Sequence, residues 1–313
     1  MHARDLLLGP RGRRLCYELA DASRSAGSTV VDDRAAFQAV AEACAWAMYW
    51  QPPHATDAYL RSSPGLDRIQ AAAEALASSP ATSWWSSPLE AGDQHLVTFQ
   101  DGDPSEPVDE PQLTGLRAAV DTLDVFHART QPAEGSTGRP LDWRTVSGAW
   151  WSAPIATPGV CTARSLGQPP LPVGLVWVED AFSWTTATSW QVRPARGVRV
   201  LELRGPQDWV DTVRRYPLEV TATAKRGDWW RTTGRDGRWA MPDWPAVAGD
   251  WDAVHLTVAG YLTTAGRALP VGEDIATVLA GWPPDATFWL ADVLRVMGGP
   301  TSWRWDGDRW TRA

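Results

Sequence analysis

The chain reads as an α+β protein, with a helical N-terminal part and a tryptophan-rich, strand-rich C-terminal part. Three observations predict this. Before residue 80, apolar residues recur at the three-and-four spacing of buried helix faces. Beyond residue 140, short apolar runs bounded by Gly and Pro alternate like strands. Of the 21 tryptophans, 17 also lie beyond residue 140. A Gly/Pro/Ser-rich stretch at 131–140 separates the two compositions. It divides the 313 residues into a mainly helical domain, 1–135, and an α+β domain, 136–313.

In order, a short helix is expected at 13–25. A clearer one follows, capped by Asp32 or Asp33, with Phe37, Val40, Ala41, Cys44 and Met48 as its buried stripe and Pro52-Pro53 as its end. Leu66, Ile69, Ala73 and Leu76 predict a helix over 65–79, and the alternation of 95–100 predicts a strand. Residues 101–111 form an acidic, Pro-rich loop; Glu106 stands where a calcium loop needs Gly, so no metal is expected there. A helix at 113–129 carries His127 as a packing residue. Strands are predicted at 171–178, 197–204 and 253–258. Gly205-Pro206 opens a helix with Trp209, Val213 and Tyr216 on its face, and Pro217 closes it. Asp243 caps a short helix at 244–248, and Asp236-Gly237 and Asp306-Gly307 read as hairpin turns.

Composition and missing motifs exclude several functions. A formal charge of −8 provides no basic stripe for a nucleic-acid backbone. Of the 29 basic residues only Lys225 is a lysine, so anion contacts fall to arginine, which favours planar, bidentate recognition. The N-terminus lacks a signal-peptide pattern, and no apolar stretch of about 18 residues follows, so the chain is expected in the cytoplasm without a membrane span. The three cysteines form no CxxC pair and the five histidines no cluster, which excludes conventional zinc sites. The chain also lacks a P-loop, GxGxxG, HExxH, GxSxG and kinase signatures.

The densest candidate region is 216–262, where aromatic and titratable residues interleave as in a cleft that stacks a planar ligand. Aromatic cross-strand pairing is its structural alternative. Within Ala253–Val258, alternation puts Ala253, His255 and Thr257 on the less apolar face, and imidazole is the usual acid–base group near neutral pH. A satisfied, half-buried histidine is the competing reading. Glu179 and Asp180 end an apolar run, Glu202 sits between Arg199 and Arg204 as an ion-pair candidate, and Arg164 suits a phosphate or carboxylate. A Trp-Trp-Ser-x-Pro pattern occurs twice, at Trp84–Pro88 and Trp150–Pro154.

The helical N-terminal part, Trp150-Trp151-Ser152 entering a strand, and the Val247–His255 segment are together reminiscent of ADP-ribosyltransferase-like domains. Members of that family resemble one another through an Arg or His, a Ser/Thr or Tyr on a strand, and a Glu that steadies an oxocarbenium-like transition state. The resemblance implies a NAD- or nucleotide-using glycosyl-type transfer with His255, Glu219 and Tyr261 as the catalytic set. Glu179 and Glu202 are alternatives for the acid. Arg164 would hold phosphate, and Trp150, Trp151, Ser152 and Trp244 would hold the cofactor. Ala253 stands where the family has Gly, and no Ser-Thr-Ser is present. The alternatives are a non-catalytic module whose tryptophans stack on a sugar or peptide, and a protein-interaction protein.

Overall fold

The computed structural model describes residues 1–26, 31–100, 111, 113, 142–154, 160–179 and 183–313. The expected helix at 113–129 with His127, the loops at 101–111 and 131–140, and Asp180 lie almost wholly outside these residues. Five helices open the chain: α1 (Ala3–Leu8), α2 (Pro10–Ala26), α3 (Asp33–Ala45), α4 (Ala55–Tyr59) and α5 (Ser63–Ser78). Asp32 caps α3 by accepting the Ala35 N–H at 2.7 Å. The helix stops at Ala45, short of Pro52-Pro53, because the Trp46 and Ala47 amides turn back onto Glu42 and Cys44. In α5 three of the four predicted stripe residues, Ile69, Ala73 and Leu76, are fully buried, and Leu66 is half-buried.

Strands dominate the remainder: β1 (Gln94–Gln100), β2 (Val160–Ala163), β3 (Ser165–Leu166), β4 (Leu171–Pro172), β5 (Thr186–Pro194) and β6 (Val200–Leu203). Then follow α6 (Pro206–Arg215), β7 (Pro217–Glu219), α7 (Lys225–Thr233), β8 (Arg238–Pro242), α8 (Trp244–Asp250), β9 (Ala253–Leu256) and α9 (Val258–Thr264). The chain ends with β10 (Leu269–Pro270), β11 (Ile275–Thr277), β12 (Ala286–Trp289), β13 (Leu294–Val296), β14 (Thr301–Trp305) and β15 (Trp310–Arg312). The main sheet runs β15-β14-β5-β1-β2-β12-β9-β6, with β13 also on β5; a smaller sheet runs β10-β11-β8-β7. Within the main sheet only β6 and β9 are parallel. Strand β1, from the half expected to be mainly helical, sits between β2 and β5 at the sheet's centre.

The two faces of the main sheet carry different cores. Leu203, Val254, Leu256, Ala163 and Ala286 belong to the large cluster shared with α2, α3, α5, α6 and α9. Leu96, Val160, Trp190, Ala253 and Trp289 form a smaller cluster on the opposite face. Close approach of α9 to the end of β6 requires glycine at 260, where a Cβ would lie 2.2 Å from the Leu203 carbonyl oxygen.

Several expected elements differ. The run 171–178 is not a strand: β4 covers two residues and Val173–Leu175 forms a 3₁₀ turn with Val173, Leu175 and Trp177 buried. A short apolar run has no periodicity that separates these outcomes. The strand expected at 253–258 ends at Leu256, because the Thr257 hydroxyl caps α9 by accepting the Gly260 N–H at 2.9 Å. Asp306-Gly307 does join paired strands β14 and β15, whereas Asp236-Gly237 links α7 to β8. Lys225–Arg231 is helical, and the tryptophans of 216–262 largely fill the core: Trp229, Trp239 and Trp244 have no exposed surface. Those three rings are therefore core and offer no stacking face to a ligand.

Candidate functional site

Strand register assembles a polar row across the smaller-cluster face. Glu202 lies opposite His255, His255 opposite Thr287, and Thr287 opposite Thr162, on β6, β9, β12 and β2. The His255 Nδ1–H donates to Glu202 Oε2 at 2.8 Å, and Nε2 faces Asp285 Oδ1 at 3.4 Å. Glu202 accepts the Leu89 N–H through its other oxygen at 2.9 Å. Asp285 Oδ2 accepts Arg164 Nε–H at 2.8 Å and the Arg164 backbone N–H at 3.3 Å. The Arg164 guanidinium lies over the Trp84 ring, 4.4 Å from its centroid. One chain of contacts thus runs from β6 to the Trp84 segment.

Asp285 makes the junction from a left-handed backbone conformation, φ 56°, which Asp tolerates better than most side chains. The two preceding prolines and this turn aim its carboxylate between Arg164 and His255 at the start of β12. Burial alone would lower the His255 pKa, but Asp285 and Glu202 outweigh it and hold the imidazole above its ordinary value. Only 1% of His255 is exposed, and both ring nitrogens face carboxylates. This geometry favours the protonated imidazole; it does not present a free base to a substrate.

Beyond Trp84 lies a groove of about 500 Å³. Its aromatic walls are Trp84, Trp85, Trp177 and Phe37; Leu166 and Gly167, just after Arg164, form another side. The Trp84 and Trp177 rings lie nearly parallel, 7° apart with centroids at 6.2 Å. Trp177 is fixed by its indole N–H donating to the Phe37 carbonyl at 3.1 Å, and its ring lies 5.3 Å from the Phe37 ring. Asp33, Arg34 and Gln168 are polar groups on the lining, all exposed.

The structure brings His255, Glu202 and Arg164 together and leaves the other sequence candidates elsewhere. Glu219 is exposed on β7 and paired to Arg238 at 2.6 Å, which holds its carboxyl below the usual range. Tyr261 is buried in α9 beside Glu179. Trp150 is buried against Tyr49, its ring centroid 5.2 Å away. Trp151 is half-buried, packed where a Gly281 side chain would clash; Gly281 also has φ 73°. Ser152 is buried, with its hydroxyl accepting the Ala280 N–H at 3.0 Å and its carbonyl accepting the Trp244 indole N–H at 2.9 Å. Of the two Trp-Trp-Ser-x-Pro copies, the first lines the groove and the second straps the core.

Sequence reasoning missed Asp285, and named Trp84 only as part of the repeated Trp-Trp-Ser-x-Pro pattern. The Pro-Pro-Asp turn before an apolar run was the available signal for Asp285. It also missed Asp93, which accepts both Ser165 Oγ–H at 2.9 Å and His95 Nε2–H at 2.9 Å. There the serine meets the carboxylate and not the imidazole, so the trio is not a nucleophile–base pair. Glu179 is neither a strand end nor a solvated turn. Its carboxylate accepts from Tyr49 Oη–H at 2.7 Å, Gly281 N–H at 2.8 Å and Trp282 N–H at 3.2 Å. Burial still pushes its pKa up to about 7, against the pull of Tyr49, Tyr261 and Arg11. No group of three or more His, Cys, Asp or Glu suited to a metal occurs among the described residues, and no described helix is long and apolar enough to cross a membrane. Compared with known proteins, the chain matches no family model, no characterised protein and no solved structure.

Proposed function

We propose that this protein binds a small planar ligand in the groove at Trp84, Trp177 and Phe37, without turnover at His255. The observation that carries this reading is the aromatic-walled groove itself. A volume of about 500 Å³ falls in the range that holds ligands of nucleoside or drug size. Stacking on a half-buried Trp84 gains dispersion and apolar burial together. Arg164 and Trp177 pack against that ring and hold it in place, so little side-chain ordering is left for the ligand to drive.

The rival transferase reading places its acid–base chemistry on His255 and Glu219. His255 is engaged on both nitrogens, and Glu219 is on another sheet. A thermal-shift panel of planar heterocycles, nucleotides including NAD, and simple sugars tests the proposal. A planar compound at about 100 times its Kd raises the midpoint by the equivalent of roughly 2.7 kcal/mol. Trp84→Ala is expected to remove that shift while leaving the unliganded midpoint within a few degrees. Shifts with sugars alone, or planar shifts that survive Trp84→Ala, would overturn it.

A further inference from the structure

We infer that the proton on His255 governs occupancy of this groove, acting through Asp285, Arg164 and Trp84, so that the planar ligand binds best when the imidazole is charged. The inference rests on the groove reading above and names its regulation.

An unbroken run of contacts links the imidazole to the groove. His255 Nε2 faces Asp285 Oδ1 at 3.4 Å. Asp285 Oδ2 accepts the Arg164 Nε–H at 2.8 Å and the Arg164 backbone N–H at 3.3 Å. The Arg164 guanidinium in turn lies 4.4 Å from the centroid of Trp84. Trp84 is one wall of the groove, and Leu166 and Gly167, shortly after Arg164 in the chain, form another. Asp285 thus holds Arg164 twice: by the side chain that packs on the first wall, and by the backbone that leads to the second. The side chains of His255, Asp285 and Arg164 are 1%, 2% and 12% exposed, so water is poorly placed to replace a contact that opens.

The proton decides which way Asp285 is drawn. In the cation both ring nitrogens donate, and the imidazole joins Glu202 to Asp285. On deprotonation the shorter contact, Nδ1–H to Glu202 at 2.8 Å, keeps its hydrogen, and Nε2 turns a lone pair on the Asp285 carboxylate. Attraction becomes repulsion between two buried acceptors, and the group of four passes from charge balance to a net negative charge. Asp285 then shifts away from the imidazole, and Arg164, bound to it twice, shifts with it and loosens its packing on Trp84. Glu202 from β6 and Asp285 from the turn before β12 are the carboxylates that face the imidazole, with Arg164 behind Asp285. Of the other charges on the adjoining segments, Arg199 pairs with Asp252, Arg204 and Glu90 are exposed, and His95 pairs with Asp93 beside Ser165. Burial disfavours the His255 cation, but the two carboxylates outweigh it, so the proton leaves as pH rises above the ordinary histidine value of about 6.5.

The test is an NMR titration of the full chain between about pH 6 and pH 9, following the His255 imidazole and the Trp84 indole N–H together. The Trp84 signal is expected to move with the midpoint of His255. Asp285→Asn is expected to uncouple the two, and His95→Gln, at the other histidine of this region, to leave them coupled. The wild-type comparison needs no variant, so it decides the matter even if Asp285→Asn does not fold. Affinity for indole-3-carboxamide, which stays uncharged over this range, is expected to fall about fivefold or more from the lower pH to the higher. An imidazole that keeps its proton throughout, a Trp84 signal that ignores His255 or follows His95, or equal affinity at both ends of the range would contradict the inference and leave the groove reading standing. No binding of indole-3-carboxamide at either pH would count against the groove reading, while the two midpoints still decide the coupling.

Discussion

Replacing His255 with alanine leaves Glu202 and Asp285 as two carboxylates around an empty space, with the cation between them gone. Removing one partner of a buried ionic group costs about 3–5 kcal/mol, so H255A should fall in urea midpoint by the equivalent amount. Because the folded-state pKa of His255 lies above its ordinary value, its contribution is fully present below about pH 6.5 and is lost as pH rises through the raised value. An imidazole NMR titration that finds His255 neutral at pH 6 would contradict this. Glu179 is also raised, to about 7, so its contribution is complete below about pH 4.5 and declines as pH rises through 7. At about 1.4 kcal/mol per pH unit the decline amounts to roughly 3 kcal/mol, and Glu179→Gln should flatten that part of the stability–pH curve. At this scale the sequence was half legible. Alternation separated the strand faces as the fold does, since Ala253, on the His255 side, packs in the smaller cluster and Val254 and Leu256 belong to the larger. What alternation could not show is that both faces are buried, or that a residue 30 positions later supplies the second carboxylate.

Helices and strands are tied by few, specific groups. Asp228, fully buried on α7, accepts from Ser147 Oγ–H at 2.6 Å, Gly148 N–H at 3.0 Å, Ala149 N–H at 3.2 Å and Arg231 at 2.9 Å. Lys225 on the same helix donates to the carbonyls of Ala149 and Trp151, each at 2.8 Å, and burial lowers its pKa to about 8. These contacts hold the 142–154 strap against α7. Asp228→Asn keeps the shape but removes the charge and one acceptor pattern, so amide exchange in 147–151 should accelerate tenfold or more, with the β9 amides unchanged. Gly260→Ala should cost about 3 kcal/mol, because the backbone of β6, not a flexible side chain, stands in the way. Helix faces and caps were legible here: Asp32 and the α5 stripe follow from local rules. The 225–233 helix was not, because Gly227 and Asp228 read as turn residues until the strap supplies partners for the carboxylate.

For the whole molecule, the α+β class was readable from where apolar spacing changes and where tryptophan accumulates. The site was less so, because its parts come from residues 84, 164, 202, 255 and 285 and meet only through an antiparallel sheet with one parallel edge. Tryptophan density does not mark the groove. Most indoles in 216–262 fill the core, while the ring that faces the groove belongs to a pair before the sheet begins. The measurement that tests the account most directly is a proton–nitrogen NMR spectrum of the 21 indole N–H groups during titration with indole-3-carboxylate. The account predicts saturable shifts at Trp84 and Trp177, and none at Trp209, Trp229, Trp244 or Trp282. Shifts confined to Trp184, Trp305 and Trp310, which line a different hollow, or the absence of any saturable shift, would contradict it.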